Sequence, residues 1–459
     1  MQNPAAGLDQ GDPNAQQSAA RVAAVSAAVV AGNTMEVRAL VGDLRAPDLA
    51  DLVGLLPPDE RVPLIKMLGA GFDPEVLSEL DESVRDQLSE ALPNEMLAEA
   101  VAKLDTDDAA YVLESLEEAD KQDVLSQISS SDRAALERNF EYAEETAGRL
   151  MQTDFVAVPP FWTVGQVIDH MREAADLPET FSDIFVVDPT YRVVGSVDLS
   201  RLLRSKRAVG IGALMDGERQ VVLATSDQEA MARQFERYDL KSAPVVDENQ
   251  RLVGVVTVDD IVEVIGEETE EDLRLLAGVG DESLADTVAP TVRSRFLWLL
   301  INLGTALLAS SVIQLFDASI KEMVALAVLM PIVASMGGNA GTQTMAVAVR
   351  ALATQQLGPA NATRVILRET SVGLINGVLF AAILATVVVL WFGVGKLGLV
   401  IGAAMIFNLL AAALAGIMIP ILLDRYGYDP AVSSGVFVTT VTDVVGFFAF
   451  LGLATLFLL

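Results

Sequence analysis

The chain has 459 residues, enough for about three domains of ordinary size. It is 52% hydrophobic, yet it carries 63 acidic against 31 basic side chains, a formal net charge of −32. The two properties are segregated: residues 290–459 hold 8 basic and 6 acidic groups, and residues 1–289 hold 23 and 57. So acidic a surface excludes the basic patch that nucleic-acid binding needs. The lack of cysteine excludes disulfides and thiolate metal sites. The single histidine, His170, excludes His-clustered zinc and a Ser-His-Asp triad within one chain, and it reads as a surface or packing residue. With no GxxxxGK phosphate loop and no visible catalytic group, nothing points to an enzyme or an ATP-driven pump.

Residues 1–20 lack the charged start and apolar core of a signal peptide, so they are expected to form a disordered leader and to leave the soluble part in the cytoplasm. From 21 to 145, Leu44, Leu56, Leu68, Leu80, Leu92, Leu104, Leu116 and Ile128 recur every 12 residues. Polar turns such as Pro57-Pro58-Asp59-Glu60 and Asp105-Thr106-Asp107-Asp108 follow several of them. Twelve residues hold one short helix and one turn, which predicts an all-α superhelical domain of stacked short helices.

A second repeat covers 146–265. Two halves share the order strand, helix, strand-turn-strand, helix, the hairpins reading VVDPTYRVVGSVDLSRLL and VVDENQRLVGVVTVDDIVEVI. This segment resembles a tandem pair of CBS domains, an α/β regulatory module. The resemblance implies a nucleotide-ribose contact at Thr257 and Asp260, whereas Asp198 and Arg201 at the matching positions of the first copy depart from that pattern.

Residues 266–289 are expected to form an acidic connecting helix. The stretch DDIVEVIGEETEED, residues 259–272, has eight acids and no base. Such crowding is either plain solvated surface or a site that needs cations to become compact, and hard divalent ions suit carboxylate oxygens.

Residues 290–459 read as an α-helical membrane domain. Uncharged stretches at 296–316, 323–349, 370–395 and 397–423, with 430–459 apolar except for Asp443, give five spans of the ~20 residues that a bilayer requires. With the soluble part inside, six arginines (Arg293, Arg295, Arg350, Arg364, Arg368 and Arg425) lie at inner ends and Lys321 and Lys396 at outer ones, so the carboxyl terminus is expected outside. Asp443 is the one acid deep in a span. A carboxylate there is expected to face a polar path or a partner. Thr439, Thr440 and Gly435 share its helical face. One acid is thin for a cation path, and a second copy across a twofold axis supplies another, which suits hydrated Mg²⁺. In the second span, Pro331, Gly337 and Gly338 either loosen the helix beside a cavity or allow close packing, and Asn339 adds an oxygen ligand.

In order, these parts resemble the MgtE family of magnesium channels over about 440 residues. The most specific motifs are GGNAGTQ (337–343), RETSVGLINGV (368–378) and DPAVSSGVFVTTVTDVVG (429–446). The resemblance implies a homodimer in the bacterial plasma membrane that takes up Mg²⁺, with Asp443 as pore acid and Asp429 at the cytoplasmic mouth. It implies closure by Mg²⁺ bound at acids matching Asp107, Asp108, Asp216, Glu218, Asp260, Glu263, Glu268, Glu271 and Asp272. Members with ATP in the CBS pair would place it on Thr257 and Asp260. Tyr111, where the N-domain helix often carries an acid, and Val436, where many members have proline, are departures. The rival readings are a proton- or sodium-coupled divalent-cation transporter using Asp443, and a nucleotide-sensing membrane protein that moves no ion.

Overall fold

A computed structural model describes residues 13–174, 177–178, 180–217, 220–279, 288–432 and 434–458. The chain divides into two compact units, one ending at Gly266 and the other starting at Glu267.

Among the described residues the first unit opens with the α-helices α1 (Pro13–Val30), α2 (Thr34–Val41), α3 (Ala46–Leu55), α4 (Pro58–Leu68), α5 (Glu82–Ala91), α6 (Asn94–Val101), α7 (Thr106–Glu114), α8 (Glu118–Gln127) and α9 (Ser130–Asn139), with 3-10 turns at Gly69–Gly71 and Pro74–Leu77 between α4 and α5. Residues 13–20, expected in the leader, are the first turns of α1; Val25, Ala28 and Val29 of the same helix are buried, and this anchors it. The 12-residue leucines mark the helix ends. Leu56, Leu92 and Ile128 are the C-caps of α3, α5 and α8, and all eight repeat positions are buried or packed against one continuous core. Helices two apart stack, α5 on α7, α6 on α8 and α7 on α9. Starts follow local chemistry: Asp81 and Ser129 cap α5 and α9 with their side chains, and Pro58 occupies the first position of α4. Buried Arg61 closes the end of α3, donating to the Leu56 and Gly54 carbonyls at 3.1 Å each and to Gln87 at 2.8 Å.

Two three-stranded sheets follow. Strands β1 (Ala157–Val158), β2 (Asp183–Val187) and β3 (Val193–Asp198) form one; β4 (Val222–Leu223), β5 (Ser242–Val246) and β6 (Leu252–Thr257) form the other. In each, the first pair is parallel and the second antiparallel with a register shift at the same place. Helices α10 (Val164–Glu173), α11 (Leu199–Leu203), α12 (Ile211–Leu214) and α13 (Gln228–Tyr238) complete the copies, with α14 (Val258–Ala277) as the last. The two copies meet through Phe185, Val187, Leu252 and Val255 and a bridge between Arg192 and Arg251. His170 packs edge-on to Trp162 at 5.3 Å.

The second unit contains α15 (Val288–Gln314), the short α16 (Asp317–Glu322), α17 (Ala325–Ala353), α18 (Ala362–Phe392), α19 (Gly395–Arg425) and α20 (Ser434–Phe457). Five of these are long and apolar enough to cross a membrane, as the sequence predicts. Helix α17 runs unbroken through Pro331, and two of its glycines, Gly337 and Gly341, serve close packing, whereas Gly338 has nothing within 4 Å of its Cβ. A Cβ on Gly337 would fall 2.3 Å from the Asn408 amide, and one on Gly341 2.5 Å from Val438. Gly446 of α20 meets the same amide, so Asn408 sits where α17, α19 and α20 cross. It is fully buried, and its Nδ2 donates to the Val333 carbonyl at 2.7 Å.

Candidate functional site

The soluble acids are brought together by one connecting segment. Residues 146–152 leave the helical stack, where Asn139 donates to the Gly148 and Arg149 carbonyls at 3.2 and 2.8 Å and Arg149 pairs with Glu114 at 2.7 Å. The same segment joins the second CBS copy through Ala147 N–H to Ser226 and Gly148 N–H to Ala224, both 2.8 Å. Gln152 then exchanges backbone bonds with Val255 of β6 at 2.8 and 2.9 Å. Gly254 permits that approach, since a Cβ there would lie 2.6 Å from Met151 Sδ. The pseudo-equivalent Gly195 admits Asp216 in the same way in the first copy.

This arrangement sets the start of α7 against the start of α14. Thr106 and Thr153 hydroxyls bond at 2.8 Å, and Gln152 Nε2 reaches Asp107 Oδ2 at 3.4 Å. Asp107, Asp108 and Asp260 share the resulting space. Burial, then the charges of Asp260 and Asp108, push the Asp107 carboxyl well above its usual range. Burial, then Asp260, Asp105, Glu75 and Glu79, push Asp108 up to about 7. Burial pushes Asp260 up to about 6, although hydrogen bonds from Thr257 oppose the rise. Thr257 gives both its N–H (3.0 Å) and its hydroxyl (2.8 Å) to Asp260 Oδ2, so the two residues singled out for a ribose are bonded to each other. Glu79, itself raised by burial and by Glu75 and Asp51, extends the acidic surface. Glu75, Glu79 and Asp105 are absent from the sequence-based candidates: Asp105 adjoins Asp107 in the chain, whereas Glu75 and Glu79, from the segment ahead of α5, are brought near only by the fold.

Asp107 Oδ1 is buried with no hydrogen-bond partner among the described residues. An orphan carboxylate oxygen among raised carboxyls is chemically suited to a hard cation. Among the described residues no group of three acidic or histidine side chains is already arranged to hold a metal ion directly. Tyr111, one turn beyond Asp107 and Asp108, carries the Arg85 guanidinium 3.4 Å above its ring, a cation in the chain itself where an acid was the family expectation.

The other soluble candidates are dispersed. Asp216 is exposed, and Glu218 lies outside the described residues. Glu263 is exposed on α14; Glu268, Glu271 and Asp272 are partly covered further along it. The connecting helix expected at 266–289 begins as the last CBS helix at Val258 and ends at Ala277; residues 280–287 lie outside the described residues. Its final turn is built into the membrane unit, where Leu275 and Leu276 pack on Met345, Val349, Ala431 and Val438. Gly435, at the start of α20, lies beside it, a Cβ there falling at ordinary contact distance, 3.8 Å, from the Leu276 carbonyl.

On α20, Gly435, Thr439, Thr440 and Asp443 are all half-buried and follow one face. The hydroxyl protons of Thr439 and Thr440 go to helix carbonyls at 2.9 and 2.6 Å, leaving their oxygens free to accept. Asp429 is exposed ahead of the helix and takes the Ala431 N–H at 2.7 Å. Asn339 lies on the exposed face of α17, next to Ser335 at 3.5 Å, not on the face that packs against α19 and α20.

Five helices long and apolar enough to cross a membrane, a carboxylate partway along the last of them, and a preceding pair of CBS-like α/β copies define a multi-pass membrane protein. Comparison with known proteins narrows the class. Residues 330–453 match the model of the divalent cation transporter family MgtE, residues 44–145 that of the MgtE intracellular N domain, and residues 147–207 and 211–267 the CBS domain. The magnesium transporter MgtE of Bacillus subtilis strain 168 is 31% identical over 428 residues, 93% of this chain and 95% of that protein. Its namesake in Thermus thermophilus is 33% identical over 433 residues, 93% and 96% of the two chains. A solved structure described as the cytosolic domain of the Mg²⁺ channel MgtE in complex with ATP is 32% identical, covering 53% of this chain and 99% of that one with a TM-score of 0.49. The chain belongs to the MgtE family.

Proposed function

We propose that the chain forms a homodimeric channel of the bacterial plasma membrane that admits Mg²⁺, with its soluble region in the cytoplasm and its carboxyl terminus outside. The observation that carries the reading is the half-buried set Asp107, Asp108 and Asp260 at the starts of α7 and α14. Helix α14 is continuous from that set to its last turn on α17 and α20. Its relatives in Bacillus subtilis and Thermus thermophilus, named magnesium transporters and covering almost the whole chain, support the choice of ion.

In this mechanism two half-buried Asp443 carboxylates face each other across the dimer axis and hold hydrated Mg²⁺ through its waters. Accepting oxygens of Thr439 and Thr440 line the approach, Gly435 keeps it wide, Asp429 collects cations at the mouth, and Asn339 faces the partner. When cytoplasmic Mg²⁺ is scarce, Asp107, Asp108 and Asp260 repel, and α7 and α14 separate. When it is plentiful, the ion replaces the shared protons, fixes α14, and holds Leu275 and Leu276 against the pore helices. Asp216, Glu218, Glu263, Glu268, Glu271 and Asp272 bind further ions along the same helix and its surroundings. The working divisions are 21–145, 146–265, 266–289 and 290–459. ATP at Thr257 and Asp260 has to break the bond between those two residues, which ties any nucleotide effect to the same carboxylate. The test is ²⁸Mg²⁺ uptake by cells lacking other Mg²⁺ importers. Asp443→Ala is expected to abolish it, and Asp107→Asn with Asp108→Asn to leave it active in Mg²⁺-replete cells; uptake by Asp443→Ala equal to the parent's contradicts the pore assignment.

A further inference from the structure

We infer that the first two turns of α18 hold the phosphate of an anionic phospholipid between Arg364 and Arg368. Helix α18 has 31 residues, about 46 Å, against a hydrocarbon layer of about 30 Å. Its ends therefore extend into the headgroup zones. Arg368 and the exposed Trp391 are about 34 Å apart along the helix, so the arginine and the indole mark the two interfaces.

Arg364 and Arg368 are exposed and one turn apart on the same face, with Cβ atoms about 5–6 Å from each other. The exposed stripe continues from them through Leu367, Leu374, Ile375 and Val378. A guanidinium pair at its head and bare aliphatic surface below reproduce the order of a phospholipid, phosphate first and acyl chains after. Among the described residues the Arg364 side chain has no hydrogen-bond or carboxylate partner. Arg368 has only Glu369 among them, whose Oε1 lies 3.6 Å from Nη1, beyond hydrogen-bond distance. Glu369 is itself buried beside the guanidinium, whose side chain stays 72% exposed. Guanidinium groups suit phosphate because their planar donors meet two oxygens at once. Lipid is the source favoured over free phosphate, because the apolar half of the stripe has nothing to offer an inorganic ion.

The test is native mass spectrometry of the full chain released from detergent with equal phosphatidylglycerol and phosphatidylcholine of the same acyl chains. The unaltered protein is expected to retain phosphatidylglycerol selectively. Arg364→Gln with Arg368→Gln is expected to lose that selectivity by roughly tenfold to thirtyfold, Arg364→Gln alone by roughly the square root of that, and Arg425→Gln to keep it. Equal retention of both lipids by the unaltered protein, or unchanged selectivity in the double variant, overturns the inference. Displacement of the lipid by inorganic phosphate alone overturns the lipid as the source.

Discussion

Neutralising Asp108 examines the acidic cluster at its most charged point. Its carboxyl is pushed from 3.8 to about 7, so keeping it ionised in the folded protein costs on the order of 4 kcal/mol at pH 8. Asp108→Asn recovers less, about 2 kcal/mol, because the amide that replaces the carboxyl is itself desolvated in the same place. The sign follows from the raised pKa: the contribution to stability is fully present below the ordinary carboxylate range and is lost as pH rises through 6–7. In chelator, the thermal transition of the soluble region in the full-length protein should therefore fall between pH 5.5 and 8. Asp108→Asn should raise it at pH 8 by roughly 4 °C and flatten the pH dependence. Millimolar Mg²⁺ should recover the loss in the parent and do little for the variant. Scanning fluorimetry in detergent reads all three. A variant whose transition follows the parent's pH and Mg²⁺ dependence refutes the argument that these carboxylates are held together against their charge.

Other consequences concern packing. Gly337→Leu should prevent recovery of a monodisperse protein by size-exclusion chromatography, whereas Gly338→Leu, with nothing within 4 Å of its Cβ, should behave as the parent. Arg61→Met removes three hydrogen bonds and leaves the buried Leu56 carbonyl without its side-chain donor, while the Gly54 carbonyl can turn to water, so the soluble region should lose about 2 kcal/mol in a denaturant titration. Asn408→Ala leaves the Val333 carbonyl without its side-chain donor but also removes a buried, unpartnered Oδ1, so the net loss should stay near 1 kcal/mol. Asn408→Leu, which forces branched carbons against Gly337 and Gly446, should be far more damaging in the same chromatography.

Period and composition made much of the architecture legible. The 12-residue leucines fall at helix ends because each helix-turn unit must bury one residue where the chain reverses. The two hairpin motifs map onto β2-β3 and β5-β6 with matching register shifts, and the five uncharged stretches become the five long helices. Tertiary placement was not legible. The resemblance names Asp107 and Asp260 in one set, but the sequence does not show the Gln152–Val255 pairing that draws the start of α7 to that of α14. Glu75 and Glu79 join them from the segment between α4 and α5, far from Asp108 in sequence, which a repeat period does not state. Asn408 left no signal, being one amide in an apolar span until Gly337 and Gly446 close on it. The run of acids at 259–272 looked uniform, but α14 distributes it: Asp260 half-buried at one end, Glu263 exposed, and Glu268, Glu271 and Asp272 partly covered.

The central claim joins a pore at Asp443 to a sensor at Asp107, Asp108 and Asp260. Mg²⁺ influx into proteoliposomes, with Mg²⁺ on the face bearing the soluble region set low or high, tests both ends at once. The account predicts influx at low Mg²⁺, its suppression at high Mg²⁺, and loss of that suppression when the three sensor aspartates are replaced by asparagine. Influx that ignores Mg²⁺ on that face, or that follows an imposed proton gradient instead, would contradict it.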